Sequence, residues 1–372
     1  MKVAPGNTTF ETGIQNETNA SICINKDLNW KLTFVPVYIL LISVLGIVLN
    51  AFVLMVFCLQ KKSCTTPEIY LSNLAAADLL LAFFRIFWAI YILNEYNWTF
   101  GRAMCKVVHA SILMNAYCSI YFVVLVSIDR YLALVHPLSY ERIRSPFLAK
   151  RGCLLVWILG FIFCVPQLMY RDVTLHSCNT NYPNIPTHLT IATTTSVFGF
   201  IIPFFVISFC TLKIFKALKS KLEVGVNTRK TDQKAPTLVL TVLLAFLICW
   251  IPYHLVRIPS TLREVKILTG CNLFKILNIC GQISAYFAMF NCVLNPILYI
   301  IVGKNFREKV KQKAVEKGRN GFIKRKPSNI RICENSVGVL QFVFVFFKSY
   351  KYFQMWVDMK RVKVLTLCVQ HR

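Results

Sequence analysis

Asp78 ends the run Asn73-Leu74-Ala75-Ala76-Ala77-Asp78 and sits near the middle of a long apolar stretch. Charged groups at such depth are costly in hydrocarbon, so those that occur are candidates for function. Neutral polar companions recur inside other apolar stretches: Asn50, Asn115, Ser119, Asn291 and Asn295. A carboxylate ringed by neutral oxygens suits a small hard cation such as Na+, or a proton. A structural hydrogen-bond network is the plainer alternative. No cofactor is expected beyond such a structural Na+ at Asp78.

A second constellation is Asp129-Arg130-Tyr131, at the end of the third apolar stretch and followed by Leu134-Val135-His136-Pro137. A carboxylate beside a guanidinium forms a local pair that opens when neighbouring helices separate. The third is a set of prolines within apolar stretches: Pro203, Pro252 in Cys249-Trp250-Ile251-Pro252, and Pro296 in Asn295-Pro296-Ile297-Leu298-Tyr299. Proline removes a helical hydrogen bond and kinks the helix. With a large aromatic beside it, as Trp250 or Tyr299, the kink becomes a bendable element.

These residues need helices that cross a membrane. The chain is 56% hydrophobic and 16% charged, against about 25% charged in soluble domains. Seven apolar stretches run from about residue 32 to 59, 68 to 93, 102 to 135, 147 to 170, 189 to 218, 236 to 262 and 273 to 302. Each is long enough to span. They are continuous rather than alternating, so the expected fold is all-α, a seven-transmembrane-helix bundle, and not a barrel. The net charge of +26 comes from Lys and Arg placed mostly between and after these stretches. No nucleic-acid recognition motif accompanies them, so the basic balance points to membrane lipid and not to nucleic acid. Lys61, Lys62, Arg142, Arg144, Lys150, Arg151, the basic run from Lys213 to Lys234, and Lys304 to Lys313 all fall on one side. The positive-inside rule makes that side cytoplasmic and leaves the N-terminus extracellular and the C-terminus cytoplasmic.

Residues 1–31 are polar, lack a basic region followed by an apolar one, and carry sequons at Asn7, Asn16 and Asn19. A glycosylated extracellular segment without a cleavable signal is expected, with the first span directing insertion. Asn97 heads a further sequon close to a helix end. The domain plan is therefore 1–31, a bundle over 32–303, an amphipathic eighth helix over 304–318, and a cytoplasmic tail over 319–372. Phe306 and Val310 share one face of that eighth helix. Residues 341–372 are atypical for a tail, rich in Phe, Val, Tyr and Lys, yet Phe342 to Phe347 is too short to span. Of 15 cysteines, four fall on the outer side: Cys23, Cys105, Cys178 and Cys271. Pairing is expected in that oxidising compartment, with three connectivities open.

Taken together, Asn50, Asp78, Asp129-Arg130-Tyr131, Trp157, Pro203, Cys249-Trp250-Ile251-Pro252 and Asn295-Pro296-Ile297-Leu298-Tyr299 resemble the rhodopsin-like G-protein-coupled receptors. Within that class the chain is similar to the bradykinin (kinin) receptors, type-2-like. The stretches that carry this likeness are Glu68 to Asp78, Leu125 to Val135, Phe246 to Trp250, Val302 to Lys304, and Glu334 to Leu340, after which it stops. The resemblance implies a cell-surface receptor in the plasma membrane, not an enzyme. It further implies a kinin-like extracellular peptide as ligand, a heterotrimeric G protein of the calcium-mobilising Gq class, and arrestin and receptor kinases as partners. It pairs Cys105 with Cys178, and Cys23 with Cys271. It makes Asp129, Arg130, Tyr131, Pro252, Pro296 and Tyr299 the G-protein switch.

The ligand pocket implied is Phe87, Trp88, Tyr91, Leu113, Trp250, Tyr253, Ser260, Asn278, Tyr286 and Phe290, with the aromatics meeting the peptide's aromatic and proline residues. Two positions depart from the kinin pattern. That group carries acids near the outer ends of the sixth and seventh helices, where this chain has Ser260 and Asn278. The lysine of the third helix that marks the type-1 subtype is replaced by Leu113. Arg85, Arg257, Arg263, Lys266 and Lys275 make the expected outer face cationic, which suits an anionic group. Another vasoactive peptide, angiotensin-like or chemokine-like, is the alternative ligand. A transporter or channel would show repeated halves or broken helices with midplane charges, and the sequence has neither.

Overall fold

The computed structural model describes residues 10–58, 64–143, 145–223, 234–264, 271–301, 306–308 and 310. Side chains are described from residue 32 onward, except 58, 143, 221–223, 234–240, 242, 243, 263, 264, 271, 272, 274 and 275. The fold is an all-α bundle: α1 (Phe10–Cys58), α2 (Thr66–Leu93), α3 (Gly101–Val135), α4 (Pro137–Ile143), α5 (Pro146–Met169), α6 (Ile185–Ser196), α7 (Ile202–Glu223), α8 (Lys234–Glu264) and α9 (Cys271–Ile301). A π-helical turn, Val197–Ile201, joins α6 to α7. Together they form one span, Ile185–Ser220. Among the described residues seven segments are long and apolar enough to cross a membrane: Leu32–Phe57, Thr66–Leu93, Gly101–Val135, Pro146–Met169, Ile185–Ser220, Leu244–Leu262 and Ile276–Ile301. These match the seven expected from the sequence.

Hydrophobicity does not decide which face of these helices turns inward, because both faces are apolar. In α1, Val37, Leu41, Val44 and Val48 are exposed, a helical stripe suited to lipid. Ser43 and Asn50 are wholly buried on the other side. Polar and small residues therefore mark the interior. At Gly46 a Cβ would approach Ala82 to 3.1 Å, so glycine lets α1 and α2 meet closely. Asn73, in α2, accepts a 3.0 Å bond from the indole Nε1 of Trp157, in α5. The main core is built mostly from α1, α2, α3 and α5, joined by Ile207 of α7, Phe246 of α8 and Tyr299 of α9, and Phe122, Phe246 and Tyr299 are among its largest buried side chains.

Local signals set several helix starts. Glu68 reaches back to the Thr65 N–H at 3.0 Å at the head of α2. Ser145 Oγ accepts from Phe147 N at 3.2 Å and starts α5. Asn184 Oδ1 accepts from Thr187 N at 2.8 Å and starts α6. In all three a proline follows within the first helical positions, where its missing N–H has no helical partner to lose.

Between α5 and α6 lies an antiparallel hairpin, β1 (Arg171–Thr174) and β2 (Ser177–Thr180), with Val173 opposite Cys178. Its two turn residues, Leu175 and His176, both adopt positive φ, 48° and 60°. That is the conformation a two-residue hairpin needs for the strands to twist together, though neither residue is a glycine. The disulfide Cys105–Cys178 pins the hairpin to α3, with a Cα separation of 5.7 Å. Trp98 N donates to His176 O at 2.6 Å and fixes the turn to the α2–α3 connection.

The Cys23 and Cys271 side chains lie outside the described residues, as do Asn7 and the side chains of Asn16 and Asn19. So does most of the expected eighth helix and all of the tail. Phe306–Glu308 and Val310 are helical. Phe306 is buried against Phe57, 5.6 Å between ring centroids, and against Phe52 at 6.1 Å.

Candidate functional site

The functional residues lie at three levels of the bundle. At the middle level Asp78 is fully buried. Its Oδ1 accepts from Asn115 Nδ2 of α3 at 2.8 Å, and its Oδ2 accepts from Asn295 Nδ2 of α9 at 3.1 Å. Asn50 Nδ2 donates to Gly46 O and to Cys292 O, both at 2.9 Å, and so ties α1 to α9. Three further buried oxygens of the spans, Ser119 Oγ, Asn291 Oδ1 and Asn50 Oδ1, have no hydrogen-bond partner among the described residues. A carboxylate, amide oxygens and a hydroxyl are all oxygen donors, the chemistry a hard cation takes. The five residues singled out from the sequence, Asp78, Asn115, Ser119, Asn291 and Asn295, are therefore all buried here, from α2, α3 and α9.

At one end of α3, Asp129 is buried and Arg130 folds back on it. Arg130 Nε and Nη2 both donate to Asp129 Oδ2, at 2.9 and 2.6 Å. Tyr140 of α4 donates to Asp129 Oδ1 at 3.1 Å. Neither α4 nor this third partner is among the features expected from the sequence. Tyr131 Oη lies 3.0 Å from His136 Nε2, and its ring packs edge-on to Phe209. Tyr299 is buried with its hydroxyl unpartnered among the described residues. Pro252 lies inside α8 and Pro296 inside α9. The π turn precedes Pro203 in the fifth span. Arg307 donates to the carbonyls of Ile300 and Ile301 at the end of α9.

At the opposite end the hairpin covers the bundle. A cavity of about 650 Å³ lies between α3, α5, α6, α8 and the hairpin, lined by His109, Gln167, Arg171, Thr180, Tyr182, Asn184, Ile185, His188 and Arg257. Among the described residues two cationic side chains and no carboxylate line it. Arg171 is 8% exposed. It donates to Thr180 Oγ1 at 2.8 Å, while its Nε and the Nε2 of His109 stay unpartnered among the described residues. Burial draws the Arg171 guanidinium below its ordinary range, against the opposing pull of Tyr91 and Tyr182. An anionic group would satisfy these donors.

The sequence-derived pocket residues surround this level without lining that cavity. Phe87, Trp88 and Tyr91 belong to an aromatic cluster under the disulfide, in contact with Trp98, Tyr96 and Phe100. Trp88 also faces the Arg171 guanidinium at 5.8 Å. Leu113 is buried in the main core. Trp250 stacks on Phe246 and meets Tyr253 edge-on. Tyr286 packs on Tyr38 and its carbonyl accepts from Tyr38 Oη at 2.9 Å. Phe290 packs against Ile42, Cys292 and Val293. Ser260 Oγ donates to Val256 O at 2.8 Å, and Asn278 Oδ1 accepts from Gln282 Nε2 at 3.1 Å, so each bonds within its own helix.

Arg85 differs from its expected place on the outer face. It is 5% exposed and turned inward, with Nη1 3.5 Å from Met289 O and 3.8 Å from Cys292 Sγ of α9. Sequence reasoning missed His109, Gln167, Arg171, Tyr182 and His188. His109 carried a usable signal, a polar residue inside a span. The others lie at helix ends, in the hairpin or in the connection after it, where polarity is ordinary.

Comparison with known proteins agrees with this layout. The family described as 7 transmembrane receptor (rhodopsin family) matches residues 49–299. The human B2 bradykinin receptor is 40% identical over 84% of this chain and 82% of its own length. The guinea-pig (Cavia porcellus) B2 bradykinin receptor is 37% identical over 90% of the chain and 92% of its own. The human B1 bradykinin receptor is 35% identical over 78% and 86%. With seven spans, a disulfide-pinned hairpin and buried polar residues at three levels, the chain belongs to the rhodopsin family of seven-transmembrane receptors, and it is a receptor and not an enzyme.

Proposed function

We propose that this chain is a plasma-membrane receptor for a kinin-like peptide that signals through a heterotrimeric G protein of the Gq class. The observation that carries the proposal is the 40% identity to the human B2 bradykinin receptor over 84% of the chain. In this reading the hairpin end is extracellular and the Asp129-Arg130-Tyr131 end cytoplasmic, in keeping with the basic residues of the sequence on that side. Peptide binding between the outer helix ends favours an arrangement in which the inner end opens for the G protein. The Asp129–Arg130 pair holds the resting arrangement, and arrestin and receptor kinases meet the same face after activation.

The outer cavity supplies Arg171, Arg257 and His109 for an anionic group of the ligand. Ser260 and Asn278 stand where a cationic peptide end would meet carboxylates. The ligand is therefore a kinin relative with a less cationic N-terminus, or bradykinin bound weakly. In the middle, Asp78, Ser119, Asn115, Asn291 and Asn295 are the residues that would hold Na+, which favours the resting state.

The test is to express the chain in cells, apply a panel of kinin peptides and record intracellular calcium. A saturable calcium rise is expected, and no response to any kinin at micromolar concentration would sink the reading. Ser260→Asp combined with Asn278→Asp should raise bradykinin affinity by about tenfold or more. Unchanged or lower affinity would show that the peptide's charge is read elsewhere.

A further inference from the structure

Arg85 is a guanidinium buried in the bundle for which no acidic partner appears among the described residues. Its contacts to Met289 O and Cys292 Sγ are long, 3.5 and 3.8 Å, and neutral. A buried cation without a counter-charge is strongly unfavourable. Apart from Asp129, which is committed to Arg130, the one buried carboxylate among the described residues is Asp78. Asp78 and Arg85 are seven residues apart on α2, two turns along the same helical face. Side chains lean toward the N-terminus of their helix, so Arg85 leans toward Asp78. On α9 the geometry repeats: Cys292, which Arg85 touches, is one turn from Asn295, which donates to Asp78.

We propose that Arg85 is a tethered counterion for the Asp78 pocket, which weakens the pocket's hold on Na+. The inference rests on the reading of Asp78 as a Na+ site for its second half only. A guanidinium one to two turns above the carboxylate supplies positive charge without filling the coordination sphere. Ser119 and Asn291 keep their open oxygens, but Na+ must now enter beside a fixed like charge. In an interior of effective dielectric about 20, two unit charges several ångströms apart repel enough to cost roughly tenfold or more in affinity.

The experiment uses the purified full chain in detergent and reads its melting temperature. A double-mutant cycle of Asp78→Asn, Arg85→Met and the two combined is run in N-methylglucamine chloride without sodium. Asp78→Asn alone strips the guanidinium of its partner. It should lower the melting temperature more in the wild-type background than in the Arg85→Met background. NaCl then replaces N-methylglucamine chloride at constant ionic strength. Half-maximal stabilisation should come at about tenfold or more lower Na+ in Arg85→Met than in wild type, and Asp78→Asn should remove it.

An additive cycle overturns the counterion assignment. A coupled cycle with the same Na+ midpoint in both proteins overturns the competition. A coupled cycle in which Na+ stabilises neither protein supports the counterion and removes Na+ from the Asp78 reading. Should Arg85→Met not be recovered folded, Arg85→Gln runs the same cycle, with Arg85→Lys expected to retain the wild-type coupling and midpoint.

Discussion

Among the described residues two carboxylates are buried in this bundle, and they are satisfied in opposite ways. Asp129 is matched locally: the next residue in the chain, Arg130, gives it two charge-assisted bonds, and Tyr140 a third. Asp78 is matched at long range by two neutral amides from α3 and α9. A charge held by its own neighbour can be released without taking the bundle apart, because only side chains need move. A charge shared among three helices registers their relative positions instead, and any shift of α9 changes its coordination. The first arrangement suits a latch at the helix end, the second a sensor at the centre.

That contrast is most easily broken at Asp78. Asp78→Ala leaves the amides of Asn115 and Asn295 without an acceptor, and burying each unsatisfied donor costs about 1–3 kcal/mol. A loss of roughly 3 kcal/mol in stability is expected, read as a large fall in melting temperature of the solubilised receptor. A loss below about 1 kcal/mol would mean that the three helices are not held through this carboxylate.

At Asp129 the effect should appear in signalling before stability. Asp129→Asn weakens the hold on Arg130 while keeping the side chain's shape. A bias of about 1 kcal/mol against the resting state raises the active fraction roughly fivefold. Ligand-independent nucleotide exchange on the G protein should rise by about that factor in membranes expressing the variant. Unchanged basal exchange would show that the pair is structural. Tyr140→Phe removes one neutral donor from the same carboxylate and should cost about 1 kcal/mol or less, with a smaller rise in basal exchange.

The two sites differed in how far the sequence disclosed them. The spans were legible because lipid demands long apolar runs, and Asp78, Asn115, Asn291 and Asn295 stood out as polar residues within those runs. Arg130 could be paired with Asp129 from adjacency alone. Tyr140 could not, because its approach depends on α4, a seven-residue helix in what reads as a polar loop. Arg85 was placed on the outer face because cations cluster there in the sequence. Its inward turn is a matter of helical phase, and α2 is apolar on both faces. The hairpin was hidden too, since its turn uses Leu175 and His176 where the usual signal is Asn or Gly.

A third carboxylate, Asp172 of the hairpin, shows what an ion pair contributes when water is near. Its Oδ2 lies 2.6 Å from Arg102 Nη2, and both side chains are partly exposed. Burial alone would push its carboxyl up. The Val173 N–H and the Arg102 guanidinium outweigh that and hold it below the usual carboxylate range. A depressed folded value means the pair's stabilisation is fully present above the unfolded carboxyl value of about 3.9 and is lost as pH falls through the folded value. Solvent screening keeps the contribution under about 1 kcal/mol. The wild-type receptor should therefore lose slightly more stability than Asp172→Asn on acidification below about pH 4, and added salt should shrink the gap. An acid sensitivity identical in the two proteins would show that Arg102 holds the hairpin by contact and not by charge.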